Sequence, residues 1–348
     1  MSLKKKTLGL AVCAVSLCLL ACIPPGATAA PSFKAVSTSG EVVFFETDEQ
    51  LVPGDTDTKR DVYERYYDSE VGQYVTREVS LGPTGGNDAY PAQFEAANAE
   101  GTEVFFSTEE RLVAGDTDRQ IDLYMRNLTN GTTILVSTGE AACQPSCGNG
   151  PDPTTFAGIN ETGTEAFFTT KERLAGGDKD FAVDLYMRDL TRGTTTLVST
   201  GEAACRPGCG NGEFDVSPRG ISGDGAYAYF ATAEPLASLD GDLVLDIYAH
   251  NITSGGTSLV SQGVCSGCGN GGKVPLFDGS SANGERVFFS TDEPLVAGDE
   301  DGATDIYARD LPNGPTALIS GGSTPVTASY AASSADGTHV FFTTAEAL

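Results

Sequence analysis

A short pattern, Val or Ala followed by two aromatics, returns six times along this 348-residue chain, at Val43, Val104, Ala166, Ala228, Val287 and Val340. Its central aromatics, residues 44, 105, 167, 229, 288 and 341, are spaced by 61, 62, 62, 59 and 53 residues. Five of the six copies lead into one acidic signature: Gly or Leu, then Asp-x-Asp-x-x-x-Asp, then an aliphatic residue and Tyr. Self-similarity at this period confines the chain to architectures in which each repeat is one supersecondary unit stacked on its neighbours. It constrains the architecture strongly and the activity weakly.

One repeat reads as four strands. In the third copy, Pro153 to Ile159 is a short apolar stretch ended by Asn160-Glu161-Thr162-Gly163. Glu165-Ala166-Phe167-Phe168-Thr169 follows, and its adjacent large side chains must point to opposite faces of a strand, so this strand is expected to be buried on both sides. After the acidic loop, Leu185-Tyr186-Met187-Arg188 and Thr195-Thr196-Leu197-Val198-Ser199 flank the tight turn Thr191-Arg192-Gly193-Thr194. Turn chemistry at both short connections predicts antiparallel hairpins. A four-stranded unit with an apolar second strand needs like units on both faces, and radial repetition supplies them while leaving only short edges. A solenoid is disfavoured, because its units are shorter and joined in parallel.

The expected fold class is therefore all-β: a β-propeller of four-stranded antiparallel blades, five full and a sixth partial. The repeats fall near 32–80, 88–137, 150–199, 212–261, 272–320 and 324–348, within one domain spanning 30–348. The last repeat stops after its second strand, which reads as a fragment of a longer chain or an open final blade. The residues Ser334-Ala335-Asp336-Gly337-Thr338-His339-Val340-Phe341-Phe342, together with Asp299-Glu300-Asp301-Gly302-Ala303-Thr304-Asp305-Ile306-Tyr307, resemble the WD-type repeats of TolB-like β-propellers. The resemblance covers residues 32–348 and implies the fold. It says little of activity, because propellers host binding modules, scaffolds and enzymes alike. The loop from the second to the third strand, such as Thr47 to Arg60, is longer than in compact TolB-type blades.

Residues 1–29 read as an export signal. Lys4, Lys5 and Lys6 precede an apolar run from Thr7 to Ile23, and Ala27-Thr28-Ala29 offers a small-residue cleavage site. The run is short for a membrane span. Leu19-Leu20-Ala21-Cys22 keeps a lipid anchor at Cys22 open as the alternative. Cleavage after Ala29 would leave 18 basic and 48 acidic residues, a formal charge of 18 − 48 = −30. Such a surface disfavours nucleic acid and anionic lipid, since phosphate binding needs Lys and Arg. An extracytoplasmic location is expected. Six cysteines outside the leader form three close pairs, Cys143/Cys147, Cys205/Cys209 and Cys265/Cys268, each followed by Gly-Asn-Gly. Matched pairs in an exported chain predict disulfides; zinc would need two pairs brought together from separate repeats.

The chemical candidates are the aspartates of the acidic loops: Asp55, Asp57 and Asp61; Asp116, Asp118 and Asp122; Asp178, Asp180 and Asp184; Asp240, Asp242 and Asp246; Asp299, Asp301 and Asp305. Clustered carboxylates can hold calcium, which takes six to eight oxygen ligands. The spacing is not that of an EF-hand. Aspartates also cap turns by accepting backbone N–H bonds two residues on, and this structural role is the expectation, with calcium the alternative. Catalytic signatures are few. Neither histidine, His250 or His339, lies near a Gly-x-Ser-x-Gly motif, and both are expected to be exposed strand or turn residues. No acid stands out from the repeat, and Trp is absent. Tyr66 and Tyr67, in the first-repeat insertion from Glu64 to Tyr74, are the most distinctive aromatics, readable as a contact surface or as an extended hairpin. The expected function is an exported, non-enzymatic binding or scaffold module for an unidentified protein or ligand. A hydrolase or lyase with its site at a central channel is the alternative.

Overall fold

A computed structural model describes residues 30–140, 150–202, 212–264, 268, 272–321 and 325–345. The chain divides into two compact units, Met1–Val136 and Ser137–Leu348. Every described element is a strand. The first unit holds blade one, β1 (Ser32–Val36), β2 (Val42–Thr47), β3 (Asp61–Asp68) and β4 (Gln73–Glu78), and blade two, β5 (Gln93–Ala97), β6 (Glu103–Thr108), β7 (Asp122–Asn127) and β8 (Thr132–Leu135). The second unit opens with blade three, β9 (Thr155–Ile159), β10 (Glu165–Thr170), β11 (Asp184–Asp189) and β12 (Thr194–Leu197). Blade four is β13 (Ser217–Ile221), β14 (Tyr227–Thr232), β15 (Asp246–Asn251) and β16 (Gly256–Leu259). Blade five is β17 (Leu276–Ser280), β18 (Arg286–Thr291), β19 (Asp305–Asp310) and β20 (Thr316–Leu318). β21 (Ser329–Ser333) and β22 (Val340–Thr343) form a two-stranded sixth. Each full blade pairs its strands in sequence order, all antiparallel. The architecture is the expected β-propeller, five full blades and a partial sixth.

The doubled aromatics do what the pleat requires of them. Phe44, Phe105, Phe167, Tyr229 and Phe288 are fully buried, as are Phe106, Phe168, Phe230 and Phe289 on the opposite faces, with Phe45 2 % exposed. Each such side chain contributes about 1.5–3 kcal/mol by leaving water. The second member of each pair stacks on the Tyr of the next strand: Phe45 on Tyr63, Phe106 on Tyr124, Phe168 on Tyr186, Phe230 on Tyr248 and Phe289 on Tyr307, with ring centroids 5.7–6.0 Å apart. In the sixth blade Phe341, the counterpart of Phe44 and Phe288, is 59 % exposed.

Successive repeats within a unit are tied at two heights. Near the first turn, Thr38 N–H donates to the Ala99 carbonyl, Glu161 N–H to Gly223 and Ala282 N–H to Ala335. At the fourth strand, a buried Thr hydroxyl donates to a carbonyl one repeat upstream, as in Thr195 to Thr138 (2.5 Å) and Thr316 to Gln262 (2.8 Å). The same Thr accepts from an Arg across the hairpin: Arg188 to Thr195 and Arg309 to Thr316, both 3.0 Å. His250 takes the Arg place in blade four, its Nδ1 lying 3.0 Å from Thr257 Oγ1. The expectation that His250 is exposed is thereby corrected: it is 3 % exposed, a strand residue held in the hairpin. His339 is exposed, as expected.

One feature lay outside the sequence reading. All six first strands carry a β-bulge, at Lys34, Glu95, Ala157, Arg219, Asp278 and Ala331. The first-blade insertion is an extended hairpin, β3 and β4 staying paired out to Asp68↔Gln73. Tyr67 and Tyr74 meet edge to face there at 5.4 Å, and the Arg77 guanidinium lies over the Tyr66 ring at 5.2 Å.

Of the six paired cysteines only Cys268 is a described residue, and it is disulfide-bonded. The expected pairs Cys143/Cys147 and Cys205/Cys209 lie wholly outside the described residues: Cys143 and Cys147 fall between 140 and 150, Cys205 and Cys209 between 202 and 212. Cys265, the leader and Cys22 lie outside them too. No helix among the described residues is long and apolar enough to cross a membrane.

Candidate metal centres in the acidic loops

The fifteen aspartates converge as five triads. In each, one carboxylate oxygen per residue lies within 4.8 Å of the other two: Asp55/Asp57/Asp61, Asp116/Asp118/Asp122, Asp178/Asp180/Asp184, Asp240/Asp242/Asp246 and Asp299/Asp301/Asp305. Local sequence explains the convergence. The third Asp is the first residue of the third strand in each blade, so the Tyr two places on shares its face. That Tyr hydroxyl turns back into the loop and donates to the first Asp, as Tyr63 does to Asp55 Oδ2 and Tyr186 to Asp178 Oδ2. The same bond forms from Tyr124 to Asp116, Tyr248 to Asp240 and Tyr307 to Asp299. Burial, and then the bond to the carboxylate, push all five phenols well above the usual tyrosine range.

Capping holds the loops. Oδ1 of the first Asp accepts the N–H of the second, at 3.2–3.3 Å in blades one to four. Oδ1 of the second accepts the N–H two residues on, at 2.5–2.8 Å in all five. The third Asp uses Oδ1 to accept a Ser hydroxyl from beyond the fourth strand: Ser80 to Asp61 (2.8 Å), Ser199 to Asp184 (2.5 Å), Ser261 to Asp246 (2.6 Å) and Ser320 to Asp305 (2.6 Å). Each of these Ser oxygens also accepts the N–H of the residue after that Asp.

Capping occupies one set of carboxylate oxygens and leaves another. Oδ2 of Asp118, Asp180 and Asp242, Oδ2 of Asp61, Asp184 and Asp246, and Oδ1 of Asp299 are inaccessible to solvent and accept no hydrogen bond. Asp61, Asp184 and Asp246 are 4–5 % exposed. Burial, reinforced by the neighbouring aspartates and only partly offset by the Ser hydroxyl, pushes each of them up to about 7. The negative charge of a Glu from the next blade adds to this, Glu110 at Asp61, Glu234 at Asp184 and Glu293 at Asp246. Burial raises Glu110 and Glu234 to about 7 as well, although backbone N–H groups of Gly86 and Gly212 bond them.

Sequence reasoning singled out every Asp of these clusters and missed the Ser and Tyr that orient them. The Val-Ser ends of the fourth strands were visible as a repeat, and the Tyr closes the acidic signature itself. It also missed Glu78. The expectation that no acid departs from the repeat is corrected: Glu78 is 2 % exposed, and the matching positions in the other full blades are Leu135, Leu197, Leu259 and Leu318. Glu46 and Glu64, also 2 % exposed, are paired acids, Glu46 with Lys34 at 3.0 Å and Glu64 with Arg77.

No protein-family model matches the chain, and no curated protein matches its sequence. Solved structures do. A prolyl endopeptidase is similar at 14 % identity and a TM-score of 0.48, covering 87 % of this chain and 38 % of its own. TolB from Acinetobacter baumannii is similar at 12 % identity and a TM-score of 0.33, covering 88 % of this chain and 76 % of its own. The β-propeller domain of the trilobed protease from Pyrococcus furiosus is similar at 11 % identity and a TM-score of 0.39, covering 83 % of this chain and 70 % of its own. This chain thus spans well under half the length of the endopeptidase. The non-enzymatic binding or scaffold reading is corrected by these matches, since two of the three propellers belong to proteases. The fold is that of a β-propeller, with TolB among the similar structures.

Proposed function

We propose that this chain is a calcium-loaded β-propeller, each full blade binding one divalent cation in the loop between its second and third strands. The observation that carries this reading is the set of buried aspartate oxygens with no donor, gathered three residues to a point. A buried carboxylate without a partner is expensive, and several at one point repel. A hard cation removes both costs, and an all-oxygen, carboxylate-rich donor set suits calcium, with Mg2+ disfavoured because it demands a tighter octahedron and sheds water reluctantly. Capping and cation binding are complementary: one set of oxygens shapes the loop, the other faces the ion. The export expected from the leader supports the same reading, because calcium sites of extracellular modules work at millimolar concentrations. We read the blades further as WD-type repeats, on their Ser-x-Asp-Gly turns. In blade four, Ser222 Oγ donates to Asp224 Oδ1 and accepts Tyr227 N–H.

Metal analysis of the purified chain after dialysis against calcium tests this. We expect close to five calcium ions per chain and a thermal midpoint that drops when chelator is added. Calcium at a hundred times its dissociation constant should stabilise by about 2.7 kcal/mol per occupied site. A chain that retains no calcium, and whose midpoint ignores both calcium and chelator, would show that the aspartates serve as caps alone.

A further inference from the structure

The five acidic loops are not equivalent. Glu78 closes β4 directly across from Tyr63, the position that Leu135, Leu197, Leu259 and Leu318 hold across from the corresponding tyrosines. Cross-strand partners share a face. Tyr63 on that face donates to Asp55 Oδ2, and Ser80, two residues beyond Glu78, donates to Asp61 at 2.8 Å. Glu78 therefore stands between the two side chains that orient the triad.

Both Glu78 oxygens are inaccessible to solvent and accept no hydrogen bond. The charges that act on them most strongly are Asp61, Asp55, Asp57 and Glu110, all acids. The Arg126 guanidinium feels the Glu78 charge from the next blade, but its Nη1 bonds Thr133 at 3.0 Å and leaves the Glu78 oxygens unbonded. Glu64 and Glu46, the other buried glutamates of this blade, have direct basic partners in Arg77 and Lys34.

We propose that Glu78 is a cation ligand and makes the first-blade site a distinct, higher-affinity class of calcium site. The inference rests on the reading of the triads as cation sites. Calcium affinity rises with the number of charged oxygen ligands, and blade one alone adds a fourth buried carboxylate, on the strand face that carries Tyr63 and Ser80. The other blades place a hydrocarbon there and keep three.

Calorimetric titration of the chelator-stripped full chain with calcium distinguishes the classes. The wild-type chain should show one site at least tenfold tighter than the rest. Glu78→Leu installs the residue that the other blades use, and should remove the tight class, raising its dissociation constant at least tenfold. Glu78→Gln keeps the size, removes the charge and should do the same. Leu197→Glu should create a second tight site. A single class in the wild type, or a tight class that survives both Glu78 variants, overturns the proposal. Binding of no calcium by the wild type sinks the cation reading as well; a single class of calcium sites sinks only this inference.

Discussion

At Asp184 one carboxylate performs two tasks that a mutation can separate. Its Oδ1 accepts the Ser199 hydroxyl at 2.5 Å, whereas its Oδ2 is buried beside Asp178 and Asp180 without a donor. Asp184→Asn keeps the shape and an acceptor for Ser199 while deleting the charge. We expect its effect to change sign with calcium. In chelator at pH 8 the variant should be more stable than wild type by about 1 kcal/mol or more, because one pKa unit of unfavourable shift is worth about 1.4 kcal/mol. In saturating calcium it should be less stable and bind one ion fewer. Paired thermal melts read both arms, and a loss of stability of equal size in both conditions would assign Asp184 to capping only. Tyr186 belongs to the same unit, since its hydroxyl bonds Asp178 Oδ2 and the Glu172 carbonyl (2.9 Å).

Among elements, a Thr of the fourth strand ties it to the preceding repeat. Thr195 is 2 % exposed, accepts from Arg188 and donates to the Thr138 carbonyl. Thr195→Val preserves shape and β-propensity but strands a half-buried carbonyl and a half-buried guanidinium. Leaving such groups unsatisfied costs about 1–3 kcal/mol. Urea unfolding should show a stability lowered by that amount with an unchanged slope; a variant as stable as wild type would mean that water replaces the hydroxyl at little cost. The bulges of the first strands are a further device at this scale. In blade two the bulge brings Glu95 to the Ser107 hydroxyl at 2.6 Å, and in blade five it brings Asp278 to Ser290. A bulge re-aims side chains where a regular ladder would alternate them.

For the molecule as a whole, the buried acids set how stability depends on pH. Burial, with like charge beside it, raises Asp61, Asp184 and Asp246 to about 7 and Glu78 to about 8. Unfolded, the same groups titrate near 3.8 and 4.5. Between those limits the folded chain binds more protons than the unfolded one, so stability falls as pH rises. The contribution is full below about pH 4 and is lost through about pH 7–8. The chelator-treated protein should therefore melt several degrees higher at pH 5.5 than at pH 8. Calcium needs the ionised carboxylates, so its stabilisation should be greatest at pH 8 and fade toward pH 5.5. Scanning calorimetry across that range, with and without calcium, checks both slopes. A chelated protein that grows more stable from pH 5.5 to 8 would contradict the raised pKa values. A formal charge of −27 on the full chain adds a nonspecific salt effect, which potassium chloride at matched ionic strength controls.

The repeat, the strand count and the aspartate triads were legible in the sequence, because each depends on local order. Two adjacent aromatics must straddle a strand, a Gly turn must close a hairpin, and Asp-x-Asp must bring two carboxylates to one loop. Residue chemistry alone could not decide between a cap and a cation site, since both use the same aspartates. That distinction lies in which oxygens find donors, and the donors come from elsewhere: Tyr63 from the next strand, Ser80 from beyond the one after. Glu78 was illegible for the same reason. In sequence it is one acid among 48, and only the register Tyr63↔Glu78 reveals that it occupies a leucine position across from the tyrosine that bonds Asp55. His250 is a similar case, an apparently free histidine that pairing across β15 and β16 places in an arginine's role. Periodicity is written along one chain and survives without tertiary contacts, whereas burial and hydrogen-bond satisfaction are properties of pairs of segments and exist only once strands have been brought side by side.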